Sequence, residues 1–187
     1  VYVYNGADWD DIFEYLPPAV GFKYISGLNS LQNDLSAACG MGGNLTDHGA
    51  YGWPVNQTEA YNRMLGLQND GNSMFDPGSG QDTTFMMNGD PVTSTGWTEE
   101  GEGGDRGMLM SVSANLSTGE TIAVVAPGDT VGFVMAVIIA QGTDRLNSIT
   151  ELRDASYEAK TLWDSNFNGV GLVDRPILES DEDYGLF

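Results

Sequence analysis

The chain has 187 residues, of which 27 are acidic and 7 basic, giving a formal charge of −20 at pH 7. The acids run along the whole length, so they coat a folded surface that repels nucleic-acid phosphates and anionic membranes. That surface also repels itself unless salt screens it or divalent cations neutralise it, which points to a saline or calcium-rich medium.

Hydrophobic residues make up 41% of the chain, more than a disordered acidic polypeptide carries. The length suits one domain, or one domain with a long insertion. The single cysteine, Cys39, cannot form an internal disulfide. It lies among small residues and reads as a buried or half-buried thiol, with a nucleophile or an intermolecular bridge as the alternatives.

Val1 to Tyr4 alternate like a strand and do not resemble a signal peptide, so Val1 is expected to be a processed terminus or a point inside a longer polypeptide. Asn5-Gly6 is a turn signal, and Asp8-Trp9-Asp10-Asp11 follows as an acidic loop or first helical turn. Pro17-Pro18 blocks a helix, and Ala19 to Tyr24 reads as a short strand. Residues 26–58 are rich in Gly, Asn, Ser and Asp and show no clear period. A helix is predicted over 58–68, with Tyr61, Met64, Leu65 and Gln68 on its apolar face, Thr58 as N-cap and Gly71 as stop. Residues 69–107 are turn-rich, with a short strand at Thr83 to Met87.

From 107 to 140 the pattern predicts a β meander: Met108 to Val112, Thr121 to Val125, then a long apolar strand from Thr130 to Ala140. Continuous apolarity in that last strand implies burial on both faces, or a helix covering one of them. Ser148 and Glu151 have capping-box spacing, and Ile149, Leu152, Ser156, Ala159 and Trp163 form a stripe with Tyr157 and Leu162 alongside. The longest apolar run, Val131 to Ala140, is too short to span a membrane, so no membrane insertion is expected. The tail from Gly169 reads as an extended linker. These elements predict a mainly β fold with some α. It has a β-sandwich-like core, a loop-and-helix excursion over residues 26–106 and a C-terminal helix packed on the sheet. Residues 1–168 form one domain, and 169–187 a tail.

Several loops carry hard oxygen in excess. Asp8, Asp10 and Asp11 form one candidate calcium set, and Asp70, Asn72 and Asp76 another. Neither follows the EF-hand order, and solvated turns are the alternative. One cysteine and one histidine do not make an ordinary zinc site. His48, in Thr-Asp-His-Gly, reads as a loop histidine, and no Gly-x-Ser-x-Gly elbow is present to pair with it. Trp9, Trp53 and Trp97 sit in loops beside Gly, Pro or Asp. There they either stack on sugar rings or plug the loops onto the core.

Several segments share their order and spacing with a known module. They are Tyr2-Val-Tyr-Asn-Gly, Pro17-Pro-Ala-Val-Gly-Phe, Tyr61-Asn-Arg-Met-Leu-Gly-Leu-Gln-Asn-Asp-Gly and Phe85-Met-Met-Asn-Gly-Asp-Pro-Val-Thr-Ser-Thr-Gly-Trp. The run Val125-Ala-Pro-Gly-Asp-Thr-Val-Gly-Phe-Val-Met-Ala-Val-Ile-Ile-Ala, with the helix after it, is the longest. Together they resemble large exported proteins of the Bacteroidota that carry a type IX secretion sorting domain. The resemblance covers most of residues 1–167. It implies an extracellular or cell-surface location and a β-rich, multidomain parent, and it brings no catalytic residues. The aspartate-rich stretch that precedes such a module and the sorting domain itself are absent from this sequence.

The function expected from these observations is a non-enzymatic structural or adhesive module. It would pair with itself or with other cell-surface proteins, with the opening strand adding to a neighbour's sheet edge. A calcium-assisted carbohydrate- or peptide-binding module is the alternative, and a secreted hydrolase using paired carboxylates is the third reading. No nucleic-acid partner is expected.

Overall fold

The computed structural model describes residues 1–26, 35, 37–42, 48–99, 106–112, 127–128, 130 and 132–168. Within them lie β1 (Tyr2–Val3), β2 (Ala19–Ser26), β3 (Ala37–Gly42), α1 (Gln57–Met64), β4 (Met74–Asp76), β5 (Gln81–Thr83), β6 (Arg106–Ser111), β7 (Val134–Ala140) and α2 (Arg145–Asp164). The described strands form three antiparallel sheets: β1-β2-β7, β3-β6 and β4-β5. The protein is therefore a mixture of α and β, mostly strands in small antiparallel sheets, with a helix after the last strand. The expected strand at Thr121 to Val125 and the tail 169–187 lie outside the described residues.

The first sheet joins the two ends of the described chain. β2 and β7 run in continuous register from Ala19↔Ala140 to Tyr24↔Met135, and the register shifts before Ser26↔Val134. β1 adds to the other side of β2 through Tyr2↔Gly21 and Val3↔Val20. The Val1 amine also donates to the Phe22 carbonyl at 3.2 Å. The opening strand is thus bonded on one side to β2, as the outer strand of its sheet among the described residues.

α2 lies across β2 and β7. It can approach closely because Gly21 has no side chain: a Cβ there would stand 3.2 Å from Leu152 Cδ2. Residues opposite each other in an antiparallel pair share a face. Ala19, Gly21, Ile138 and Ala140 therefore face α2, and with Ile149 and Leu152 they make the core of this part. Val20, Phe22, Val137 and Ile139 face the other way. The helix-covered reading of β7 is the one observed: exposure alternates along the strand, and the face opposite α2 is open at Met135, Val137 and Ile139.

α2 starts earlier than the Ser148 capping box implies. Asp144 is the N-cap, its Oδ1 accepting from the amides of Leu146 and Asn147 at 2.9 and 2.7 Å. Ser148 is buried, and its hydroxyl donates to the Pro17 carbonyl at 2.8 Å, joining helix to chain start. Asp144→Ala is expected to cost about 1 kcal/mol, the usual loss for an N-cap carboxylate, read from urea unfolding.

The second part of the fold is built from the excursion. β6 pairs with β3, and the middle strand of the expected meander lies outside the described residues. β3 is Ala-Ala-Cys-Gly-Met-Gly, a strand with neither alternation nor bulk, and its pairing with Met108, Leu109 and Met110 supplies what its own sequence does not signal. α1 begins at Asn56, whose side chain accepts from Glu59 N at 3.0 Å, while the Glu59 carboxylate reaches back to Val55 N at 2.9 Å. This reciprocal cap lies two residues before the expected Thr58. The helix ends at Met64, well short of Gly71, where Gly66 turns the chain at φ +77°.

The two parts are tied by Arg153 of α2. Its guanidinium donates to both oxygens of Asp90 at 3.2 and 2.8 Å and to Tyr2 Oη at 3.1 Å. The Arg153 hydrogen bonds, with the Val92 amide behind them, hold the Asp90 carboxyl down at about 2. A depressed carboxylate contributes stability above its unfolded value and loses it as pH falls through the folded one. The Asp90–Arg153 contribution is therefore expected to be complete above about pH 4 and to fade toward pH 2. Asp90→Asn should flatten the melting-temperature profile across that window, and an unchanged profile would contradict the assignment.

Candidate functional site

α1 carries the least expected side chain. Arg63 is 0% exposed, and it lies between the excursion's strands and the loop after the helix. Nη2 donates to the Gly40 carbonyl at 2.7 Å and Nη1 to the Leu67 carbonyl at 3.2 Å. The thioethers of Met74 and Met86 stand at 3.6 and 3.8 Å, and the Tyr51 ring centroid at 5.9 Å. No carboxylate pairs with it among the described residues. Cys39 belongs to the same cluster: its thiol donates to the Arg63 carbonyl at 3.1 Å, and burial pushes its pKa up. A buried, protonated thiol is a weak nucleophile, and this one is a structural hydrogen-bond donor. The apolar face expected for α1 was misplaced, since Tyr61 and Met64 are exposed.

Four of the six calcium candidates, Asp10, Asp70, Asn72 and Asp76, are engaged within their own loops. Asp8 Oδ1 pairs with Arg145 Nε at 2.9 Å. Asp10 accepts from the amides of Phe13 and Ile12 and from the Asn5 side chain, and these bonds lower its pKa. Asp11 is exposed. Asp70 accepts from the amide and side chain of Asn72 at 3.0 and 2.7 Å. Asp76 is held below the usual carboxylate range by the Ser79 hydroxyl first, then by the amides of Gly78 and Ser79 and by Asn88. The carboxylates of Asp10, Asp70 and Asp76 each close their own turn, as Asx residues do. Among the described residues no three His, Cys, Asp or Glu side chains converge as a metal cage.

The three tryptophans part company. Trp53 packs on Gly107, where a Cβ would stand 2.4 Å from its Cη2. Trp97 meets Tyr51 edge-on at 6.2 Å. Both are half-buried and plug their loops onto the excursion. Trp9 is 51% exposed and meets Tyr15, 67% exposed, edge-on at 4.9 Å. Ile12, Phe13 and Leu16 of the same loop are also exposed. Beneath that loop a shallow groove of about 240 Å³ runs between Asp10 and Phe13 on one side and Val3, Pro18 and Val20 on the other. A second, open groove of about 410 Å³ lies beside Leu67, Ser73, Asp82 and Phe85. His48 is exposed, with Nδ1 3.3 Å from the Trp53 carbonyl, and no carboxylate bonds to it among the described residues.

The remaining feature is the rim of the first sheet. β7 is bonded on one side to β2, and among the described residues nothing is bonded to its other side. Its side chains opposite α2 are apolar and open, with Val137 64% and Ile139 68% exposed. Sequence reading identified the strand but not the open rim, because openness depends on what pairs with the strand. No helix of the described residues is long and apolar enough to cross a membrane. Comparison of the chain with family models, with curated proteins and with solved structures gave no match.

Proposed function

We propose that the chain is a non-enzymatic structural or adhesive module of an extracellular cell-surface protein, assembling into a fibre or array in a saline or calcium-rich medium. The observation that carries this reading is the exposed apolar face of β7, whose outer edge is unpaired among the described residues, on a molecule whose formal charge is −20. A soluble protein rarely leaves a long, uncharged sheet edge and its side chains bare, because such an edge is a template for pairing. The fixed carboxylates repel those of other molecules and keep unpaired copies apart where cations do not screen them. The resemblance to exported modules of Bacteroidota-type proteins supports the same location. The sandwich-like core belongs to this proposal: the open face of the first sheet is the face a second layer would cover.

The test is light scattering and negative-stain microscopy of the full chain in saline buffer, with and without calcium. Oligomers or ordered arrays are expected. A chain that stays monomeric at every salt and calcium level would contradict the reading.

One observation favours a second reading, carbohydrate binding. Trp9 and Tyr15 expose ring faces beside a groove that holds Asn5 and Asp10. Glycan-array binding that is lost in Trp9→Ala and kept in Trp53→Ala would establish it. The hydrolase reading has no such support among the described side chains.

A further inference from the structure

The loop from Trp9 to Leu16 is built from two kinds of residue. Trp9, Ile12, Phe13, Tyr15 and Leu16 are large and hydrophobic, Asp10, Asp11 and Glu14 are acids, and no other type occurs in it. All five hydrophobic side chains are exposed, Ile12 to 82%. A solvated turn is ordinarily made of Gly, Asn, Ser or Pro, so reversing the chain does not account for this composition.

The loop is also preformed. Asp10 and Glu14 exchange backbone hydrogen bonds at 2.8 Å in both directions, and the Leu16 amide donates to the Phe13 carbonyl at 3.0 Å. Asp10 Oδ1 accepts from the amides of Ile12 and Phe13, and Trp9 meets Tyr15 edge-on at 4.9 Å. Glu14 sits at φ +53°, a left-handed conformation that glycine or asparagine ordinarily supplies. Glycine would hold that backbone with less strain, so the glutamate serves through its side chain. A surface fixed in this way loses little freedom when it binds.

Charge, and the polar atoms still free, decide what fits. Asn5 Nδ2 donates to Asp10 Oδ2, and Asn5 Oδ1 accepts from the Ala7 amide, so these two groups are satisfied within the chain. A sugar needs free partners for its hydroxyls and finds few here. The carboxylates of Asp11 and Glu14 have no partner among the described residues and favour a cation. The groove beneath the loop is largely apolar, with Val3, Phe13, Pro17, Pro18 and Val20 along it. An occupant must therefore bring a positive charge and an apolar side chain together. This chain is poor in both at once. Arg63 is buried, and Arg145, Arg153 and Lys160 are paired with carboxylates. Outside the described residues the one base is Arg175, in a stretch where acids outnumber it. A second copy brings the same charge of −20. Charge complementarity thus selects a different, basic chain.

We propose that loop 9–16 and the groove beneath it dock an extended basic segment of another protein, in which Lys or Arg alternates with apolar residues. Successive side chains of an extended segment point to opposite sides. One set enters the groove between Phe13 and Val20. The other faces the carboxylates of Asp11 and Glu14 and the rings of Trp9 and Tyr15, which attract cations over their faces. This goes beyond the assembly reading and does not depend on it, because it uses a different surface from β7.

The test is isothermal titration of the full chain with short blocked peptides: lysine alternating with leucine, glutamate alternating with leucine, and lysine alternating with serine. The lysine–leucine peptide is expected to bind with Kd on the order of 10–100 µM, and the other two at least about tenfold more weakly. Any cation is drawn to a molecule of charge −20, so variants must separate the loop from the general field. Trp9→Ala and Ile12→Ser leave the charge unchanged and should each weaken binding about five- to tenfold, with wild-type circular dichroism. Asp11→Asn combined with Glu14→Gln should weaken it as much. Glu151→Gln combined with Glu158→Gln makes the same change of charge at exposed positions of α2 and should leave Kd within about twofold. Equal losses in the loop pair and the helix pair would show a diffuse attraction and overturn the site. So would undiminished binding in Trp9→Ala and Ile12→Ser, or no binding of the lysine–leucine peptide. Glycan binding that needs Trp9, without peptide binding, would replace this partner with a sugar. Each of these results leaves the assembly reading, tested by light scattering, where it stands.

Discussion

Replacing Arg63 with alanine is expected to cost about 3–5 kcal/mol, enough to unfold a marginal domain of this size. The loss has two sources. The Gly40 and Leu67 carbonyls lose their guanidinium donors, and Gly40 belongs to β3, whose pairing with β6 organises the excursion. The side chain is also fully buried, so its removal leaves a cavity between α1, Met74 and Met86. Two further variants separate these effects. Arg63→Met fills most of the space and brings no charge, so it should lose less than alanine. Arg63→Lys keeps the charge but cannot reach both carbonyls with a planar fork, and it should lose more than methionine. Urea unfolding of the three variants checks the order. An alanine variant within about 1 kcal/mol of the parent would remove Arg63 from its central place.

The second large effect is expected at Gly66. Its φ is +77°, and a Cβ there would stand 2.6 Å from Thr84 Cβ and 2.9 Å from Thr84 Cα. Alanine must therefore accept a left-handed backbone, about 1 kcal/mol, and displace the Thr84 backbone, about 1–3 kcal/mol more. Gly80 provides the control. Its φ is +71° and nothing stands within 4 Å of its Cβ position, so Gly80→Ala should show the conformational cost alone. Equal losses at the two positions would show that Thr84 yields freely and that the turn after α1 is not packed as described.

Much of the first sheet could be read from the sequence, and the reason is local. β7 announces itself by a ten-residue apolar run, α2 by a helical stripe, and β2 by Pro17-Pro18 before a short apolar segment. The covering of β7 by the helix that follows it was also legible, because short connections make consecutive elements neighbours. The start of α2 was not. Ser148 and Glu151 imitate a capping box, and Asp144 takes the cap because Ser148 is drawn into the core by the Pro17 carbonyl. That bond spans most of the chain, and no local pattern encodes it.

The excursion was harder to read. β3 has the composition of a loop, and only its partner β6 makes it a strand. α1 spans eight residues, too few for periodicity to set its face. The buried Arg63 defeated a rule that charged residues lie outside. Its signal was indirect: a base set among sulfur-containing residues in a chain with few bases. For the candidate sites, residue type alone suggested calcium loops and sugar-stacking tryptophans. Hydrogen bonds show the carboxylates of Asp10, Asp70 and Asp76 closing their own turns, and packing distinguishes Trp9 from Trp53 and Trp97.

Everything functional in this reading rests on an acidic coat that dissolved ions make tolerable. Thermal melting of the full chain decides it most directly, with dilute chelator-treated buffer compared against about 1 M NaCl, where surface repulsion is screened within about 3 Å. The melting temperature is expected to rise by several degrees in salt, the shift of about 1 kcal/mol in a domain of this size. The same melting temperature in both buffers would contradict the account.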